Sequence, residues 1–154
     1  MPMMVKVLFL CTGNSARSQM AEGYLRRVAG DRFIALSAGI EPKGLNPLAV
    51  EAMREIGIDI SGQKSKDVRD FLGQPIPYVV TVCENAREKC PIFPGTYKFL
   101  HWGFDDPAAA TGTHEEKLAV FRRVRDQITQ RIDRELLGDS MHAEGSSQEH
   151  PTHA

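Results

Sequence analysis

The chain alternates short apolar runs with longer amphipathic stretches. From Val5 to Leu10 only Lys6 interrupts the apolar residues, the pattern of a strand buried on both faces. The spacing then changes to a helical one from about Ala16 to Ala29. It places Met20, Ala21, Tyr24, Leu25 and Val28 on one face, and Gly30 serves as the stop. Phe33–Ala38 reads as a second strand. Asn46-Pro47 reads as a cap followed by proline at the first helical position. That helix turns Leu48, Ala49, Ala52, Met53 and Ile56 inward and ends at Gly57. A short helix is expected around Lys66–Leu72, and strands at Tyr78–Val82 and Tyr97–Leu100. Thr113-His114-Glu115-Glu116 is a capping box. It opens the longest helix, which runs to about Leu137 with Leu118, Phe121, Val124, Ile128, Ile132 and Leu136 inward.

Strands that alternate with helices imply right-handed crossovers and a parallel sheet covered on both faces, an α/β fold. Ligands in such sheets bind beyond the C-terminal ends of the strands. At 154 residues the chain is read as one domain over residues 1–138, with enough length for a real core. Residues 139–154 are polar, rich in Ser, His and Glu, and without periodicity, so a disordered tail is expected there. His142, His150 and His153 lie within it and are read as solvated. A net charge of −1 provides no electrostatic footprint for nucleic acid or an anionic membrane. No apolar run approaches the ~20 residues of a membrane span, and the start lacks the pattern of a signal peptide. The expected compartment is the cytoplasm, where the three cysteines are read as thiols in chemical use rather than structural disulfides.

The densest chemistry lies in Cys11-Thr12-Gly13-Asn14-Ser15-Ala16-Arg17-Ser18, between the first strand and the first helix. Gly13 and Asn14 tolerate positive φ, which lets successive N–H groups turn toward one point as an anion nest. The N-terminus of the following helix adds free donors and a favourable dipole. Such surroundings favour the thiolate, the form of cysteine that attacks. Arg17 can grip two oxygens of an oxyanion through its planar fork, which a lysine could not do. Ser18 can donate to the sulfur of Cys11. The oxyanion-binding set is therefore Thr12, Gly13, Asn14, Ser15, Ala16 and Arg17, with Cys11 as nucleophile. Sulfur attack expels an oxygen, which leaves more easily when protonated. Asp106, held ahead of Pro107, is the candidate acid, and Asp105 is read as a turn residue.

Cys83 ends the third strand, on the same edge of the sheet as Cys11, and Cys90 follows seven residues later, ahead of Pro91. Two incidental cysteines, a metal pair and a redox pair all fit this spacing. No Cys-x2-Cys or His spacing supports zinc, so no metal site is expected, and a redox pair is the most specific reading. On one continuous helix their Cα atoms would stand about 10.5 Å apart. A disulfide tolerates only about 4.4–6.8 Å. The segment Glu84–Lys89, polar and closed by Pro91, is therefore expected as a mobile loop that carries one thiol toward another.

These residues resemble a known family, the thioredoxin-coupled arsenate reductases built on the low-molecular-weight tyrosine phosphatase fold. The likeness runs from about Val5 to Leu137. It rests on the Cys11–Ser18 loop, Val82-Cys83-Glu84-Asn85-Ala86, Lys89-Cys90-Pro91 and Phe104-Asp105-Asp106-Pro107-Ala108. It implies a three-layer α/β/α fold with a four-stranded parallel sheet. It also implies a mechanism. Cys11 attacks arsenate held by Arg17 and the loop amides, and Asp106 protonates the leaving oxygen. Cys83 attacks the sulfur of the adduct and releases arsenite. Cys90 then takes Cys83 into a disulfide that reduced thioredoxin opens. No bound cofactor is implied. Phosphate and sulfate are the expected competitors.

Two departures from the family are visible. Ala16 stands where some members carry a cysteine outside the relay. Some members bind potassium near positions matching Asn14, Glu22 and Ser37, helped by a Thr and an Asp that here are Lys64 and Lys66. The lysines argue against a bound cation: either the Lys64 ammonium takes its place beside Glu22, or Lys64 and Lys66 are both solvated surface charges. The alternative enzyme is a low-molecular-weight protein tyrosine phosphatase working through a cysteinyl-phosphate. Against it, Ala108, Ala109 and Ala110 follow Asp106-Pro107 where an aromatic would stack on phosphotyrosine. Weak side phosphatase activity remains compatible with the loop.

Overall fold

The structure is a computed structural model that describes residues 4–138. The expected tail at 139–154 and its three histidines lie outside the described residues. Strand β1, Val5–Cys11, sits inside a four-stranded sheet of order β2-β1-β3-β4, with β2 at Phe33–Gly39, β3 at Tyr78–Thr81 and β4 at Lys98–His101. All three pairings are parallel. Val7, Leu8, Phe9 and Leu10 are each fully buried. Because successive strand residues face opposite sides, both faces of the sheet are covered, which gives the three-layer α/β/α architecture that the alternating pattern predicts.

The helices are α1 (Arg17–Ala29), α2 (Pro47–Arg54), α3 (Glu84–Lys89) and α4 (His114–Ile132), the last extended by a π-turn over Asp133–Leu137. Their ends follow the local chemistry. Asn46 caps α2 by accepting from the Leu48 N–H at 2.8 Å, with Pro47 in the first position. Thr113 and Glu116 close the capping box of α4 reciprocally, at 3.1 and 2.8 Å. Gly57 ends the turn after α2 at φ +81°, a conformation that glycine adopts without penalty. Val28 and Ile56, both expected inward, are exposed: each falls in the last turn of its helical stretch, past the edge of the buried stripe. Around Lys66–Leu72 there is a short 3-10 turn, Val68–Phe71.

The segment expected as a loop between Cys83 and Cys90 is helical. Cys83 itself caps α3, its sulfur accepting from the Ala86 N–H at 3.4 Å, and Cys90 closes the other end. A capping sulfur, Glu84 in the first turn and Arg87 and Lys89 in the last stabilise a helix too short to stand alone. No helix among the described residues is long and apolar enough to cross a membrane.

Parallel pairing sets the site. Cys11 pairs with Gly39, and Leu10 pairs with Thr81, two residues before Cys83. The C-terminal ends of β1, β2 and β3 therefore open onto the same edge of the sheet.

Candidate active site

The loop after β1 is held from outside through its carbonyls. Ile40, Glu41, Lys43 and Asn46 donate backbone N–H groups to the carbonyls of Cys11, Thr12, Gly13 and Ser15, at 3.1, 2.8, 2.9 and 2.9 Å. With those carbonyls engaged by the 40–46 segment, the opposite edge of the loop faces a pocket of about 160 Å³. Cys11, Thr12, Gly13, Ser15, Ala16, Arg17, Lys43, Asp106 and Ala108 line it. The volume falls below the roughly 300–1,000 Å³ of pockets for organic ligands and suits a small anion. Helix α1 begins at its wall with no side-chain cap, so the first-turn amides keep their capacity for an anion.

Asn14 stands apart from the oxyanion-binding set expected from the sequence. It is fully buried, adopts φ +47°, and does not line the pocket. Its N–H points at Cys11 Sγ, 3.1 Å away. Its side-chain amide donates to Ser18 Oγ at 2.8 Å and Ser37 Oγ at 2.9 Å. Its own oxygens are engaged by the Lys66 N–H at 2.7 Å and the Ser65 hydroxyl at 2.6 Å. Because Ser18 Oγ accepts from Asn14, its proton is free for Cys11 Sγ, 2.8 Å away. Cys11 is 2% exposed, and its sulfur faces two hydrogen-bond donors, the Ser18 hydroxyl and the Asn14 N–H.

Arg17 lies with its side chain 11% exposed. It donates through Nη1 to the Phe104 carbonyl at 3.1 Å, and Nη2 stands 3.8 Å from Asp106 Oδ1. Asp106 lines the pocket and accepts from the Ala108 N–H at 3.0 Å, which fixes its carboxyl through the short turn that follows. Asp105 points away, toward Arg123 at 3.9 Å. Ala108 supplies the wall opposite the loop, with no ring to stack on a substrate.

Cys83 reaches this site through Thr12. Thr12 Oγ1 accepts from Asn85 Nδ2 at 2.9 Å and stands 3.3 Å from Cys83 Sγ. Cys90 is at the far end of α3, half-buried, and burial pushes its thiol up to about 11. The three thiols are all free.

Beneath the loop, Ser37 donates to Glu22, which is 4% exposed. Glu22 also accepts from Arg26 Nη2 at 2.5 Å and from Lys66 Nζ at 3.4 Å. This corrects the expectation for Lys64: the ammonium beside Glu22 belongs to Lys66, and Lys64 contributes its backbone carbonyl to that ammonium at 2.5 Å. The reason is reach, since Lys66 N–H is already bonded to Asn14 and its stem turns back under the loop. No cluster of three His, Cys, Asp or Glu side chains that could hold a metal occurs among the described residues.

Two residues here were not singled out from the sequence. Gly39 faces the loop so closely that a Cβ would lie 2.8 Å from Thr12 O and 2.9 Å from Asn14 N. Lys43 enters the pocket from a segment that reads as a plain loop. The signal available for either was its position shortly after the expected second strand, Phe33–Ala38.

The low molecular weight phosphotyrosine protein phosphatase family model matches residues 6–147. An arsenate reductase of Halalkalibacterium halodurans is 57% identical over 126 residues, 82% of this chain and 91% of that protein. The solved structure of an arsenate reductase in a phosphate-binding state superimposes with a TM-score of 0.70 at 33% identity, covering 85% of this chain and 95% of the other. A thioredoxin-dependent arsenate reductase of Corynebacterium glutamicum superimposes with a TM-score of 0.66 at 27% identity, covering 93% of this chain and 64% of the other. A cysteine–arginine loop of this geometry, on this sheet and with these relatives, leads to one assignment: the chain belongs to the low molecular weight phosphotyrosine protein phosphatase family, among its arsenate reductases.

Proposed function

We propose that the protein reduces arsenate to arsenite by a relay of its three thiols, with thioredoxin as the reductant. The observation that carries this reading is the second sulfur at the lip of the oxyanion loop: Cys83 Sγ, 3.3 Å from the hydroxyl of the residue that follows Cys11. A phosphatase has no use for it.

Cys11 thiolate attacks arsenic(V). An As–O bond breaks, and Asp106 supplies the proton with which that oxygen leaves as water. Arg17 and the loop amides hold the remaining oxygens. Cys83 thiolate then attacks Cys11 Sγ. The As–S bond pair stays on arsenic, which becomes arsenic(III), and a Cys11–Cys83 disulfide forms. Cys90 attacks Cys83, releasing Cys11 as thiolate and leaving Cys83–Cys90 oxidised. A dithiol reductant opens that bond. Two thiols are oxidised for the two electrons arsenic gains, and Cys11 is regenerated. The Corynebacterium relative is described as thioredoxin-dependent, which supports the same donor here.

The test is arsenate reduction with thioredoxin and its reductase by wild type and by Cys11→Ser, Cys83→Ser and Cys90→Ser. Loss of multiple turnover in all three is expected. Activity toward an aryl phosphate that survives in Cys83→Ser and Cys90→Ser, without arsenate reduction in the wild type, would replace this reading by the phosphatase one.

A further inference from the structure

We propose that Lys43 is a substrate-binding residue, whose ammonium acts as a second, mobile cation for the oxyanion in the Cys11 pocket. The backbone places it there: the Lys43 N–H bonds the Gly13 carbonyl at 2.9 Å. Its aliphatic stem then lies across Gly13, where a Cβ would meet Lys43 Cγ and Cδ at 3.4 Å. The side chain lines the pocket alongside Cys11 and Arg17. Among the described residues no carboxylate holds its ammonium.

Charge on the pocket walls shows what this cation is for. Arg17 and Asp106 face each other at 3.8 Å and offset one another while Asp106 is ionised. The uncapped α1 N-terminus contributes a partial positive charge of roughly half a unit. Even with Asp106 protonated, the Arg17 guanidinium and the helix end fall short of the two charges of a tetrahedral dianion, and the Lys43 ammonium adds the next full positive charge. Arg17 is fixed by the Phe104 carbonyl, so it orients the anion. Lys43 sits on a flexible stem at the exposed rim and follows the anion in and out. Under the reductase reading, on which this last step rests, the product leaves as uncharged arsenous acid. A cation at the rim therefore favours substrate over product.

The experiment compares wild type, Lys43→Met, which keeps the stem without the charge, and Lys43→Arg. Inorganic phosphate is titrated calorimetrically into each reduced protein without any reductant, and arsenate KM and kcat are measured at low and high salt. Lys43→Met should weaken phosphate binding and raise arsenate KM by about five- to tenfold at low salt, with Lys43→Arg recovering most of it. The defect should shrink at high salt. Phosphate binding by Lys43→Met equal to wild type, or a fall in kcat at unchanged KM, would overturn the assignment. Weakened phosphate binding in a protein that reduces no arsenate would sustain Lys43 and remove the reductase reading instead.

Discussion

The hydroxyl of Thr12 stands 3.3 Å from the sulfur of Cys83 while accepting a hydrogen bond from Asn85 at 2.9 Å. With the Asn85 amide donating to it, Thr12 has its own proton to offer the sulfur. The Ala86 N–H provides a second donor at 3.4 Å. One loop residue thereby couples the oxyanion pocket to the thiol that the proposed relay assigns to the second step. Replacing Thr12 by Val removes the donor and keeps the shape. Rapid-quench single turnovers should show the step that releases arsenite slowed about tenfold, from the loss of one hydrogen bond to a charged group. Phosphate affinity should stay within twofold of wild type, and Thr12→Ser should recover the rate.

Cys90 poses a problem of reach and of protonation, and one motion resolves both. It closes α3 at the end opposite Cys83, where helical geometry separates the two by about 10.5 Å, beyond any disulfide. Burial also holds its thiol protonated, up to about 11. Under the proposed relay, unwinding α3 frees its two ends to approach within disulfide range and brings the Cys90 thiol into water. In the reduced protein, alkylation of Cys90 should therefore climb between pH 9 and about 11 rather than around pH 9, as for a free thiol. The linkage has a definite sign. A thiol whose folded value is raised contributes stability that is full below about pH 9 and is lost as pH rises through about 11.

Oxidation should correspondingly expose the backbone of α3. In the reduced state the Arg87 N–H is bonded to the Cys83 carbonyl at 3.1 Å. Hydrogen exchange at residues 86–90 should accelerate by at least tenfold in the Cys83–Cys90 disulfide form relative to the reduced one. Equal protection in the two forms would contradict the unwinding.

Gly39 is a packing requirement of the loop. A methyl group there lies within 3 Å of the Thr12 carbonyl and the Asn14 N–H, both backbone, so neither can rotate away. Gly39→Ala should shift the loop and lower kcat/KM for arsenate about a hundredfold, the scale set by a displacement of about 1 Å at a reacting centre. The equivalent change at Gly62, where nothing lies within 4 Å, should be neutral.

Glu22 already has two cations, Arg26 and Lys66. A buried carboxylate so neutralised has little further use for potassium. Turnover in potassium and sodium salts of equal ionic strength should agree within experimental error. A strong stimulation by potassium alone would show that the Lys66 ammonium does not hold that position in solution.

Much of this was legible along the chain because its causes are local. The periodicity of Val5–Leu10 and of Leu118–Leu136 marks burial, and Asn46-Pro47 and Thr113–Glu116 mark helix starts, since caps act over three residues. The Cys11 loop stood out for the same reason, with cysteine, glycine, arginine and serine in eight consecutive residues. The helix between Cys83 and Cys90 was not legible. Its polar sequence lacks a buried stripe, and its cap is a sulfur rather than the usual oxygen.

What only the tertiary structure decided is which distant residues meet at the loop. Parallel pairing of β1 with β2 and β3 brings Gly39 against Thr12 and Asn14, and sets Cys83 beside Thr12. The 40–46 segment, seated on the loop carbonyls, delivers Lys43 to the pocket, and the turn through residues 64–66 sends Lys66 rather than Lys64 to Glu22. Such contacts depend on strand register and on the path of each return segment, which are settled by packing the whole sheet at once. The amino-acid sequence by itself therefore determined the Cys11–Ser18 loop and the elements on either side of it. The fold decided what surrounds Cys11, because those partners are far away in the chain and adjacent only in space.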